Sequence, residues 1–170
     1  MLYYDLTAGP PTLDLGTIDL EPAKVTRLYG RPMPELPSGA IWRGTPPVTF
    51  EQMRGHVVLI HFCQHAAGVC VPGAVPQWAA NYRSRGLIVF AVHKPDLEER
   101  DVPSHASYPG GTPLPTMIDV RGSDSFVSRL GVTQCMLLVD DQGKLIRRFS
   151  GYNPGDVLPE LEAALARANR

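Results

Sequence analysis

Three thiols and five imidazoles are the side chains of this chain best suited to chemistry. The thiols are Cys63, Cys70 and Cys135. An odd number cannot all pair within one chain, and the spacing holds neither a Cys-x-x-Cys pair nor a zinc-ribbon pattern. A cysteine attacks only as its thiolate, so a reactive one needs a helix N-terminus or a nearby cation to lower its pKa. His61, Cys63 and His65 alternate with period two, and a strand persisting to residue 65 would place all three on one face. Imidazole and thiolate together suit copper or zinc. The plainer readings are a solvated loop imidazole at His65 and core packing for Cys63 and Cys135, since a free cysteine packs as a small hydrophobe. His93 closes an apolar run, where open α/β sheets present residues to ligands. Its ordinary pKa suits general acid–base work, and holding the strand end is the competing reading. His56 and His105 read as surface residues.

These side chains need elements to hold them. Val57–Cys63 is a short apolar run rich in β-branched residues, which reads as a buried parallel strand. Residues 74–85 carry Val75, Trp78, Ala79 and Tyr82 at helical spacing, with Gly86 where a C-cap would sit. Leu87–Val92 reads as a second buried strand, which completes a βαβ unit. Residues 94–113 are polar and rich in Pro and Gly, with one helical turn near Leu97–Arg100. The run Glu98–Asp101 is most simply a solvated face. Leu114–Ile118 is expected to form an edge strand and Ser123–Leu130 a short helix. Cys135–Val139 reads as a third buried strand, which Asp141-Gln142-Gly143 turns into Lys144–Phe149 as a hairpin. A last helix begins at Asn153-Pro154, where asparagine caps and proline fits the first turn. Val157, Leu161, Ala164 and Leu165 form its apolar stripe. Residues 1–40 are rich in turn residues and read as an arm or hairpin, with Leu13, Leu15, Ile18 and Leu20 as a short strand. Residues 41–170 then make one domain.

Composition narrows the function classes. A chain of 170 residues with 44% apolar residues can bury a core without metals or disulfides. A net charge of -1 gives no footprint for nucleic acid or an anionic membrane. The start, MLYYDLTAGPP, lacks the basic and apolar regions of a signal peptide, and no apolar run reaches membrane-spanning length. The expected location is the cytoplasm. No phosphate-binding glycine loop, Ser-His-Asp order or paired carboxylate stands out, so no cofactor is called for.

Three segments carry a resemblance to a known family. The first is Trp42-Arg43-Gly44-Thr45-Pro46-Pro47, followed by Phe50 and then Met53-Arg54-Gly55-His56-Val57-Val58-Leu59. The second is Phe62-Cys63-Gln64-His65-Ala66-Ala67-Gly68-Val69-Cys70, with Pro76 six residues on. The third is the hairpin Leu137-Leu138-Val139-Asp140-Asp141-Gln142-Gly143-Lys144-Leu145. Over roughly residues 40–168 the chain resembles the thioredoxin-like superfamily, in its redoxin or TlpA-like thiol–disulfide branch. The resemblance implies an α/β thioredoxin-like fold: a central mixed sheet flanked by helices, here with an N-terminal extension. It also implies a redox site with two departures. Ala67 takes the place of the first redox cysteine and Ala66 that of the tryptophan before it, so only the second cysteine remains, as Cys70. Gln134 takes the place of the family's cis-proline, with Thr133 and Cys135 beside it. A non-proline cis bond costs about 2.5–4 kcal/mol, so a trans peptide and a reshaped loop are expected there.

Thiol–disulfide exchange of the usual kind needs an attacking and a resolving sulfur, and Ala67 removes the first. One reading keeps single-cysteine chemistry at Cys70, with Cys135 as a partner and His65 or His93 as helper. A Cys70–Cys135 bridge would need Cα atoms within about 7 Å. In that reading Ala66, Ala67, Gly68, Val69, Thr133 and Gln134 line a groove for a small molecule or a protein thiol. A second reading has the groove hold a small molecule or a copper or zinc ion. A third makes the fold a non-catalytic scaffold whose groove or N-terminal arm docks another protein, a homodimer through the arm included.

Overall fold

The two runs richest in β-branched and aliphatic residues lie at the centre of the sheet. The computed structural model describes residues 23–63, 74–94, 114–150 and 153–170. Within them β1 (Ile41–Arg43), β2 (Val57–Cys63), β3 (Leu87–His93), β4 (Thr116–Ile118), β5 (Cys135–Val139) and β6 (Leu145–Phe149) form one sheet in the order β1-β4-β3-β2-β5-β6. The β2–β3 and β3–β4 pairs are parallel, and the other three are antiparallel. Helix α1 (Ala74–Tyr82) connects β2 to β3, α2 (Phe126–Leu130) precedes β5, and α3 (Pro154–Ala168) ends the chain.

Both faces of the sheet are covered. One face packs Val57, Leu59, Leu87, Val89, Met136 and Leu138 under α1 and α3. The other packs Val58, Ile60, Phe62, Phe90, Val92 and Leu137 against α2 and the N-terminal segment. Phe126 is fully buried there, stacked on Phe62 at 5.9 Å between ring centroids and tilted against Phe50 at 6.2 Å. Such aromatic pairs add about 0.5–1.5 kcal/mol beyond area burial.

Most predicted elements appear, with shifts that have local causes. The helix expected over 74–85 stays α-helical to Tyr82 and tightens into a 3-10 turn, Arg83–Arg85, closed by Gly86 at φ +86°. The helix expected over 123–130 begins only at Phe126. Ser125 is its N-cap, with its side chain accepting the Ser128 N–H at 3.3 Å. The segment expected as an edge strand is β4, and it is interior: Ile41–Arg43 pairs antiparallel outside it. A three-residue strand is too short to show alternation, which is why it left no trace in the pattern. In α3 the Asn153 Oδ1 accepts the Gly155 N–H at 3.0 Å, and Val157, Leu161, Ala164 and Leu165 are all buried.

The short strand expected near residues 13–20 and the turn near Leu97–Arg100 lie outside the described residues. From Lys24 to Leu28 the chain forms a 3-10 turn that buries Val25. It then runs beside the β5–β6 turn. Gly30 N–H donates to Leu145 O at 2.8 Å, Leu145 N–H to Arg31 O at 3.0 Å, and Met33 N–H to Gly143 O at 2.9 Å.

Candidate functional site

Parallel strands end together, so β2, β3 and β4 finish at one margin of the sheet, and antiparallel β5 starts there. The register puts Cys63 opposite His93, His93 opposite Ile118, and Phe62 opposite Cys135. Residues 64–73 join β2 to α1 from this margin. The site residues expected in that link, His65, Ala66, Ala67, Gly68, Val69 and Cys70, lie outside the described residues. His93, Thr133, Gln134 and Cys135 are described, and all belong to this margin.

His93 is buried at the end of β3, and its backbone carbonyl accepts the Asp119 N–H at 2.9 Å. Its neighbour His61 follows Val57 and Leu59 by the period-two rule onto the face covered by α1 and α3. His61 is fully buried. Burial, with a smaller contribution from the charge of His93, lowers its pKa from 6.5 to about 3. At neutral pH His61 is therefore an uncharged imidazole, because a desolvated cation is costly in the sheet interior.

Cys135 opens β5 as a free, fully buried thiol. Burial pushes its pKa up, and a hydrogen bond and charge interaction with Arg148 on β6 oppose that in part. The net direction keeps the sulfur protonated, which disfavours attack by it. Thr133 and Gln134 just before it are exposed, and the peptide between them is trans, since no described peptide bond is cis. The trans peptide expected at Gln134 is thus present. Among the described residues, no group of three or more His, Cys, Asp or Glu side chains is placed to hold a metal ion. No described helix is long and apolar enough to cross a membrane.

The sequence pattern missed one residue that organises this margin. Asp119, directly after β4, is only 3% exposed, yet its carboxylate accepts four hydrogen bonds. Oδ1 takes the N–H groups of Val120 and Phe126, each at 2.9 Å. Oδ2 takes the Ser125 hydroxyl at 2.7 Å and the Val127 N–H at 2.8 Å. The bonds satisfy the donors that open α2 and fasten that helix to the strand end beside His93. The available signal was an aspartate and a serine ahead of a short apolar stretch, a capping pattern.

Strand order, the parallel crossover through α1 and helices on both faces give a thioredoxin-like fold, and solved structures share it. A thiol-disulfide isomerase from Corynebacterium glutamicum superposes with a TM-score of 0.59 at 19% identity, covering 79% of this chain and 97% of its own. Peroxiredoxin Q of Xanthomonas campestris gives 0.53 at 15% identity, over 79% and 96%. A thioredoxin-like protein in its oxidized form gives 0.55 at 25% identity, over 80% and 95%. No family profile matches the sequence, and no curated protein does.

Proposed function

We propose that this thioredoxin-like chain carries out single-cysteine thiol chemistry at Cys70, in a redox groove that no longer holds a conventional cysteine pair. The observation that supports this most is the state of Cys135. Its thiol is fully buried and burial pushes its pKa up, which disfavours it as the attacking sulfur, and the resemblance assigns the remaining redox cysteine to Cys70. In the step we infer, the Cys70 thiolate attacks one sulfur of a disulfide substrate. The S–S bond breaks, a mixed disulfide forms, and the other sulfur departs as a thiolate that takes up a proton. With Ala67 in place of a second loop cysteine, an external thiol must resolve the mixed disulfide, regenerating Cys70 and completing the exchange. Thiol titration together with insulin-disulfide and peroxide reduction assays tests the reading. Cys70→Ser is expected to abolish turnover and Cys135→Ser to spare it; full activity in the Cys70→Ser protein would overturn it.

A further inference from the structure

Between Val132, which is bonded back to α2, and Cys135, the first ladder residue of β5, lie only Thr133 and Gln134, both exposed. We propose that Asp119 is the positioning residue of this pair. Its carboxylate holds α2, and through α2 it sets where Thr133 and Gln134 stand for an incoming disulfide. This role rests on the single-thiol reading, which supplies the groove that the two residues border.

Both ends of the pair are tied. At the far end Cys135 is in register with Phe62 of β2. At the near end the Val132 N–H donates to Val127 O at 3.3 Å, after Gly131 has closed the helix at φ +62°. Val127 carries the tie onward, because its own N–H donates to Asp119 Oδ2 at 2.8 Å. The two backbone groups of one residue thus join the carboxylate to the residue just before Thr133. Asp119 is itself fixed, since its N–H donates to the carbonyl that ends β3 at His93. A helix of five residues cannot hold its place by its own ladder. Its other holds are the Phe126 ring stacked on Phe62, the Lys24 ammonium on Ser128 O at 3.5 Å and the Arg129 guanidinium on Glu35 O at 2.6 Å. Ring packing sets the depth of α2 but is not directional. The two lysine and arginine contacts are exposed. The bonds from Ser125, Phe126 and Val127 to Asp119 are buried, directional and charge-assisted, so they fix how α2 is turned.

Two measurements on the full chain test this, with Asp119→Asn, the milder Ser125→Ala and Leu161→Ala compared with the wild type. Leu161 is buried under α3 on the opposite face of the sheet, so its truncation lowers stability without touching α2. In the first measurement the backbone amide resonances of Val132, Thr133 and Gln134 are followed by NMR. They are expected to shift in Asp119→Asn, to shift less in Ser125→Ala and to stay in place in Leu161→Ala. Unchanged resonances in Asp119→Asn, or equal shifts in Leu161→Ala, would overturn the proposal. In the second, insulin disulfide is reduced with glutathione as the external thiol. KM is expected to rise about 3- to 10-fold in Asp119→Asn with kcat within about 2-fold of wild type, the pattern of lost substrate placement rather than a lost nucleophile. An unchanged KM, or a fall in kcat at constant KM, would also overturn it. If Asp119→Asn does not fold, the same two readings on Ser125→Ala decide. If the wild type shows no turnover that depends on Cys70, the single-thiol reading fails, and the resonances alone decide whether Asp119 positions Thr133 and Gln134.

Discussion

Replacing His61 with glutamine removes a group that folding keeps neutral, and the expected consequence is a flatter acid limb in the stability curve. In the unfolded chain the imidazole titrates at 6.5, and in the folded protein burial holds it near 3. Below about pH 6.5 the unfolded state therefore takes up a proton that the folded state refuses. The neutral His61 contributes its full stability above the unfolded value and loses it as pH falls toward the folded one. The loss approaches about 1.4 kcal/mol per pH unit inside that window. Between about pH 7 and about pH 5 it integrates to about 2 kcal/mol, set almost wholly by the unfolded value. Urea unfolding of wild type and His61→Gln, followed by tryptophan fluorescence at both pH values, gives four free energies. The double difference should be about 2 kcal/mol, with the wild type losing more. An offset from the new side chain drops out, and His93 is present in both proteins. Equal pH dependence in the two proteins would refute the claim that His61 stays neutral inside the sheet.

Asp119→Asn keeps one carbonyl oxygen but turns the other acceptor into a donor facing the Val127 N–H. With hydrogen bonds to charged groups contributing about 1.5–3 kcal/mol each and not additively, the expected loss is about 2–4 kcal/mol by urea unfolding; a loss under about 1 kcal/mol would rule out the anchoring role. Phe126→Ala empties the ring stack on Phe62 and should cost about 3–5 kcal/mol in the same assay. In the native protein the Cys135 thiol should react with a small disulfide reagent far more slowly than after unfolding in urea, as read by mass spectrometry. Comparable rates in the two states would contradict its burial.

The central strands were legible because their composition leaves little choice. Val57–Cys63 and Leu87–His93 are β-branched, apolar and punctuated by Gly55 and Gly86, and Asn153-Pro154 announces α3. Signals failed where an element owes its existence to its neighbours. Ile41–Arg43 is a strand only because β4 offers it a ladder three residues long. The interior place of β4 follows from that same pairing. At the margin, alternation identified His61 as sharing a strand face with Cys63 and raised a metal as the explanation. Its protonation state depends on burial by α1 and α3 and on His93, which lies about thirty residues away in sequence. Asp119 leaves a weak signal because only the Ser125 cap is local, while each of the partners of Asp119 except Val120 lies six to eight residues ahead, beyond the reach of the usual capping box. Resemblance, rather than spacing, marked Ala67 and Gln134, since an alanine or a glutamine carries no signal until one asks what should stand there.

The segment from Gly30 to Met33 has a role beyond filling the core. Unpaired strand borders are templates on which a second chain can add itself, and long flat ones invite aggregation. Here the outer border of β6 is occupied at its beginning by backbone from the same chain, through Gly30 and Arg31, while Met33 holds the turn before it. Farther along, Arg147 projects a charge and pairs with Glu160 of α3 at 3.1 Å. The opposite border, β1, is three residues long. Among the described residues the sheet thus has no long flat border, and a chain trimmed past Met33 would give up the cover on β6 along with the buried Val25.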